Sequence, residues 1–123
     1  MEKALEFYKG HFLSTDGNDP WVIGSRERLR SRFIRTLKEH CAHLEKMGKE
    51  GQAVNWYSKA IEIENLSEEL YQGLIQCFLK LDRKADAMAT YNQCRDTFSL
   101  VLGVEPSEKT EALRRKILEK NGY

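Results

Sequence analysis

His40, Cys41 and His43 are the residues whose types and spacing come closest to a metal site. Imidazole and thiolate bind zinc, but a structural site needs four ligands within tetrahedral reach. On a helix Cys41 falls on the apolar stripe while His40 and His43 fall on neighbouring polar positions. The three therefore diverge, and no second cluster supplies the missing ligands. Cys77 and Cys94 also occupy apolar helical positions, and no CxxC pair occurs. An odd count of three reads as small buried hydrophobes, not as disulfides or ligands. Carboxylates alternate with Lys and Arg at helical-face spacing, a pattern of solvated pairing. No glycine-rich phosphate loop and no nucleophile motif is present. The sequence predicts no catalytic residue, no cofactor and no metal: this is not an enzyme.

Charge offers one further candidate. Arg26, Arg28, Arg30, Arg32 and Arg35 crowd one stretch of a chain whose formal net charge is +1. At about 100° per residue Arg28, Arg32 and Arg35 share a face, with Arg26 and Arg30 to the side. Such a strip has the chemistry to contact phosphates. It lacks interleaved aromatics and base-reading Asn or Gln, which favours a solvated face pairing with Glu27, Glu39 or acids of the N-terminal segment.

The elements that position these groups are all helical. A first helix is expected over about 2–9, then a loop from His11 to Pro20 rich in Ser, Asp, Gly and Asn. Ser25 is expected to cap a long helix to about Met47, with Leu29, Phe33, Leu37, Cys41, Leu44 and Met47 on one side. Gly48 closes it. Ala53, Val54, Tyr57, Ala60 and Ile61 line the next helix, to about Glu64. Ser67, followed by two acids, opens a fourth, carrying Leu70, Tyr71, Leu74, Ile75, Phe78 and Leu81. A fifth runs from about Arg83 to Leu102, with Ala87, Met88, Tyr91, Cys94, Phe98, Val101 and Leu102 inward, and Gly103 with Val104 suggests a Schellman ending. Ser107 caps a last helix to about Lys120, with Leu113, Ile117 and Leu118 inward. No alternating strand pattern occurs, and two prolines in 123 residues leave the helices uninterrupted. One all-α domain is the expectation. Met1 opens onto an amphipathic segment and not a signal-peptide core, and no apolar run approaches the ~20 residues of a membrane span. A cytoplasmic protein without membrane contact is expected.

A period runs through this pattern. Ala53, Tyr57 and Ala60 recur as Ala87, Tyr91 and Cys94, each 34 residues on (87 − 53 = 34), and Leu37 and Leu44 recur as Tyr71 and Phe78. Small residues let antiparallel helices approach, and the aromatic fills the gap to the next pair. This resembles the tetratricopeptide (TPR) repeat, with repeats at 34–67 and 68–101, a cap at 107–120, and antiparallel hairpins in a right-handed superhelix. Two repeats are fewer than the three or so that suffice alone, so flanking segments must add core. Residues 1–24, an N-terminal helix and loop bearing Phe12, Leu13 and Trp21, are expected to fold back on the first repeat.

Longer motifs carry a more specific resemblance. Ala4 to Tyr8 leads into Lys9-Gly10-His11-Phe12-Leu13. Trp21 precedes Arg26-Glu27-Arg28-Leu29, Ala85 to Tyr91 follow, and the trailing motif is Leu102-Gly103-Val104-Glu105-Pro106-Ser107. Over about 4–118 the sequence is similar to the bacterial transcriptional activator domain, the helical domain that follows the winged-helix DNA-binding domain in Streptomyces antibiotic regulatory protein-type regulators. His11 stands where such sequences often have proline. The resemblance implies a signal-responsive transcription regulator with a DNA-binding domain upstream. It implies contact with that domain, with a second copy as in a homodimer, or with RNA polymerase, and contact with DNA only indirectly. Rival readings are a free-standing TPR adaptor and a nucleic-acid binder acting through the arginine strip.

TPR domains bind peptides on the face of their first helices. By repeat offset that face presents Arg35, Lys38, Ala42, Glu45 and Lys46, then Glu69, Gln72, Gln76, Leu79 and Lys80. The chaperone-docking subclass clamps a terminal carboxylate with a Lys and two Asn. Lys38 fits that pattern, but Ala42 and Gly73 replace the asparagines, which argues against such tails as ligands.

Overall fold

The computed structural model describes Leu5 and residues 20–119. Five helices follow one another there: α1 (Pro20–Lys46), α2 (Glu50–Ile63), α3 (Glu68–Lys80), α4 (Lys84–Leu102) and α5 (Glu108–Leu118). No strand occurs among the described residues. The expected helix over 2–9, the loop that follows it, and the packing of Phe12, Leu13 and Trp21 lie outside the described residues. Leu5 does pack, half-buried, against the core.

One helix start and two caps differ from expectation. α1 starts at Pro20, five residues before the expected Ser25 cap, because proline's fixed φ suits the first helical turn and its missing N–H costs nothing there. Ser67 and Ser107 do occupy N-cap positions in extended backbone, yet neither hydroxyl caps its own helix. The Ser107 hydroxyl donates to the Glu68 carboxylate instead, since a charged acceptor outcompetes a backbone one.

Each helix runs antiparallel to the next. Arg30 near the start of α1 pairs with Glu64 just past the end of α2. The Tyr71 and Phe98 rings of α3 and α4 meet edge to face at 6.3 Å. α1 and α3 consequently lie parallel, bridged by Lys38 with Glu69 and by Lys80 with Glu45. The core sits between these layers. All five residue pairs related by 34 positions (Leu37 and Tyr71, Leu44 and Phe78, Ala53 and Ala87, Tyr57 and Tyr91, Ala60 and Cys94) are buried.

The helix turns repeat as well. Gly48 (φ 72°) ends α1 in the left-handed region, and Asp82 (φ 58°) does so after α3. Lys49 N–H donates to the Leu44 carbonyl at 2.8 Å and Gly48 N–H to Glu45 at 3.0 Å. Arg83 N–H to Phe78 at 2.8 Å and Asp82 N–H to Leu79 at 3.1 Å reproduce the motif. Gly103 (φ 66°) also ends α4 in the left-handed region, but with a different bond pattern, its N–H reaching the Ser99 carbonyl at 3.1 Å.

Four residues expected inward at helix ends are exposed: Met47, Val101, Leu102 and Leu118. Their periodicity is intact, but the helices outrun the partners that would cover them. Leu100, Val101 and Leu102 leave an apolar last turn on α4, and Val104 just past its end is exposed too.

Candidate interaction groove

The buried stripe of α1 is Phe33, Leu37, Cys41 and Leu44. One helical step from it, Ile34, Lys38 and Ala42 form a second row, and the parallel start of α3 stands opposite them. Between α1, the α2–α3 turn and α3 lies an open cavity of about 750 Å³. Ile34, Ala42 and Leu66 give it an apolar lining, and Arg30, Arg35, Lys38, Glu39, Glu68 and Glu69 line it with charge of both signs.

Of the offset-derived residues, the fold brings Arg35, Lys38, Ala42 and Glu69 together here. Lys38 Nζ approaches Glu69 Oε2 at 3.4 Å across the gap. Further along the same two helices Lys80 Nζ donates to Glu45 Oε1 at 2.8 Å. That hydrogen bond raises the lysine's pKa above its ordinary value. Lys46 and Gln76 are exposed and outside the cavity, and Leu79 is half-buried against the core. Gln72 is a correction. It is buried, and its amide donates to Thr110 Oγ1 at 2.9 Å, because α5 packs over the position that repeat offset alone assigns to an open face. Gly73 also faces inward, since a Cβ there would come within 2.4 Å of the Tyr57 ring. An asparagine at 73 has no room, which gives the broken carboxylate clamp a steric cause.

Arg30, Ser31, Ile34, Glu39, Leu66, Ser67 and Glu68 line the cavity without having been singled out for it. Offset reasoning stopped at the repeat boundary, whereas α1 extends beyond it and the α2–α3 turn closes one side. Ile34 and Leu66, apolar residues left off the buried stripes, were the available signal.

Glu68 also fixes α5. Its Oε2 accepts the Ser107 N–H at 2.9 Å, the Ser107 hydroxyl at 2.6 Å and the Thr110 hydroxyl. Burial acts to raise its pKa, but these bonds and one from Gln72 outweigh it, and the pKa ends below the usual value.

The remaining candidates separate. Cys41 is buried, His43 exposed, and His40 meets the Trp56 ring edge-on at 5.7 Å. Among the described residues no group of three His, Cys, Asp or Glu is placed to hold a metal. Burial pushes the Cys41, Cys77 and Cys94 thiols up to about 12, so they are inert neutral core groups. Arg30 pairs with Glu27 and Glu64, each at 3.3 Å. Arg28, Arg32 and Arg35 stand exposed on one face of α1, and neither Glu27 nor Glu39 pairs with them.

Among the described residues no helix is long and apolar enough to cross a membrane. No curated protein and no solved structure matches the chain. The family model of the bacterial transcriptional activator domain matches residues 1–118, nearly the whole length and including the leading and trailing motifs on either side of the helices, and the chain belongs to that family.

Proposed function

We propose that this chain is the protein-binding effector domain of a bacterial transcription regulator, cytoplasmic, non-catalytic and joined upstream to a winged-helix DNA-binding domain. In this reading residues 34–67 and 68–101 are two TPR repeats and 107–120 caps the second. The observation that carries it is the open groove between α1 and α3, where an apolar lining of Ile34, Ala42 and Leu66 meets charges of both signs. That combination suits a helix or loop of a partner protein, with apolar anchors below and polar contacts around them. The own DNA-binding domain, a second copy and RNA polymerase are the partners in view.

The test is made in the intact regulator. Ala42→Arg fills the groove from an exposed helical position and Glu39→Lys inverts its charge. Transcription from the target promoter should fall at least tenfold, about 1.4 kcal/mol of partner binding, with promoter affinity unchanged. Transcription at the unsubstituted level from both variants would remove the groove from the mechanism.

A further inference from the structure

Most described arginines are engaged by their neighbours. Arg30, Arg83, Arg95 and Arg115 pair with carboxylates, Arg114 lies over the Tyr91 ring, and Arg26 has its own interaction. Arg28, Arg32 and Arg35 differ. All three are exposed, and they make no hydrogen bond, ion pair or ring contact with any described residue. Glu27 adjoins them but engages Arg30, and Glu39, one turn beyond Arg35, is exposed without an ion pair to any described residue. Arg28 and Arg32 are also an i,i+4 pair of like charge, which mildly destabilises a helix when nothing answers it.

We propose that Arg28, Arg32 and Arg35 form a phosphate-contacting strip that binds the backbone of duplex DNA without reading its sequence. Spacings of four and three residues hold the guanidiniums within about 60° of arc and over about 10 Å of axis, at 1.5 Å per residue. One DNA strand carries a phosphate about every 3.4 Å, so roughly three phosphates lie over that length. Arginine's planar fork suits phosphate oxygens in a way that a scattered lysine surface does not. The strip spans the middle of α1, from Arg28 to Arg35. It rests on the reading that a DNA-binding domain precedes this one, whose non-specific footprint on the duplex the strip extends.

The test titrates the 123-residue chain against a labelled duplex of arbitrary sequence, reading anisotropy. Three phosphate contacts predict about 40-fold weaker binding between 50 and 200 mM salt, from a log–log slope of roughly −0.9 per contact. The triple variant Arg28→Gln, Arg32→Gln, Arg35→Gln should lose that dependence, and the corresponding triple lysine variant should keep most of it. Glutamine is a good helix former at exposed positions, and an unchanged circular dichroism spectrum checks that the fold survives. Absence of salt-sensitive binding by the parent chain, or an unaltered slope in the glutamine variant, would overturn the proposal. So would competition by polyglutamate as effective as by unlabelled duplex, which would mark the strip as a dock for an acidic protein. Arg35 also lines the groove, so the double variant Arg28→Gln, Arg32→Gln, which leaves the groove lining intact, separates the two readings. It should lower the salt dependence of duplex binding, and failure of the groove test leaves the strip standing.

Discussion

Tyr57 and Tyr91 stand 34 residues apart in successive helix hairpins, and both are buried, yet they are covered in different ways. The Tyr57 ring lies over Gly73, where a Cβ would overlap it, so the second hairpin encloses it by packing. Tyr91 faces α5. Its hydroxyl donates to Glu111 at 2.6 Å, and Arg95 and Arg114 sit over its ring. Burial and then the Glu111 carboxylate push the Tyr91 phenol up to about 12. One residue at one repeat position is held by shape inside the stack and by charge at its end. A short terminal helix covers little apolar area, so polar contacts must fix its position.

The comparison predicts that removing Glu68 has the largest effect, because it holds α5 through Ser107 and Thr110. Glu68→Ala should cost about 2–3 kcal/mol in chemical denaturation, the range for hydrogen bonds to a charged group. The pH dependence follows from the direction of the shift. Glu68 has a folded pKa below its ordinary value, so its contribution is complete above the ordinary carboxylate range. It is lost as pH falls through the lowered folded pKa. Glu68→Gln should therefore flatten the acid limb of the stability profile. If the variant's stability falls with acid as steeply as the parent's, Glu68 is not the latch.

Inside the stack the corresponding probe is Gly73→Ala. Replacing a mid-helix glycine by alanine ordinarily stabilises by about 0.5–1 kcal/mol. Here the new methyl meets a buried ring at 2.4 Å, and overpacking costs about 1–3 kcal/mol, so a net loss of about 1–2 kcal/mol is expected. Combining it with Tyr57→Leu should shrink that loss in a double-mutant cycle. Additive losses would show that the ring is not what excludes a side chain at 73.

The same contrast explains what the sequence revealed. The ten buried positions related by 34 were legible because hydrophobic periodicity records which face of a helix is covered. It does not record where a partner helix stops, and Met47, Val101, Leu102 and Leu118 are exposed for that reason. Gln72 was misplaced because translation by one repeat assumes the next helix is equivalent, whereas α5 presents the Thr110 hydroxyl. The role of Glu68 rests on partners 39 and 42 residues away, beyond any local signal. Within the groove, charged residues one turn apart on α1 were visible, and the turn residue Leu66 that completes it was not.

The smallest effects belong to the two hairpin turns, which share backbone and differ in side chain. Gly48 and Asp82 both hold positive φ, and each turn makes the same pair of backbone hydrogen bonds, one donated by this residue and one by the residue after it. Glycine enters the left-handed region without steric cost, while aspartate pays a part of the about 1–2 kcal/mol charged to other residues. Against this, glycine loses more backbone entropy on folding, which trims the gain. Asp82→Gly should therefore raise stability by about 0.5 kcal/mol, and Gly48→Asp should lower it by a similar amount. The double exchange should leave the denaturation midpoint close to that of the parent. A midpoint lowered by Asp82→Gly would mean that the aspartate does something in its turn that the glycine does not, and the two turns would cease to be equivalent.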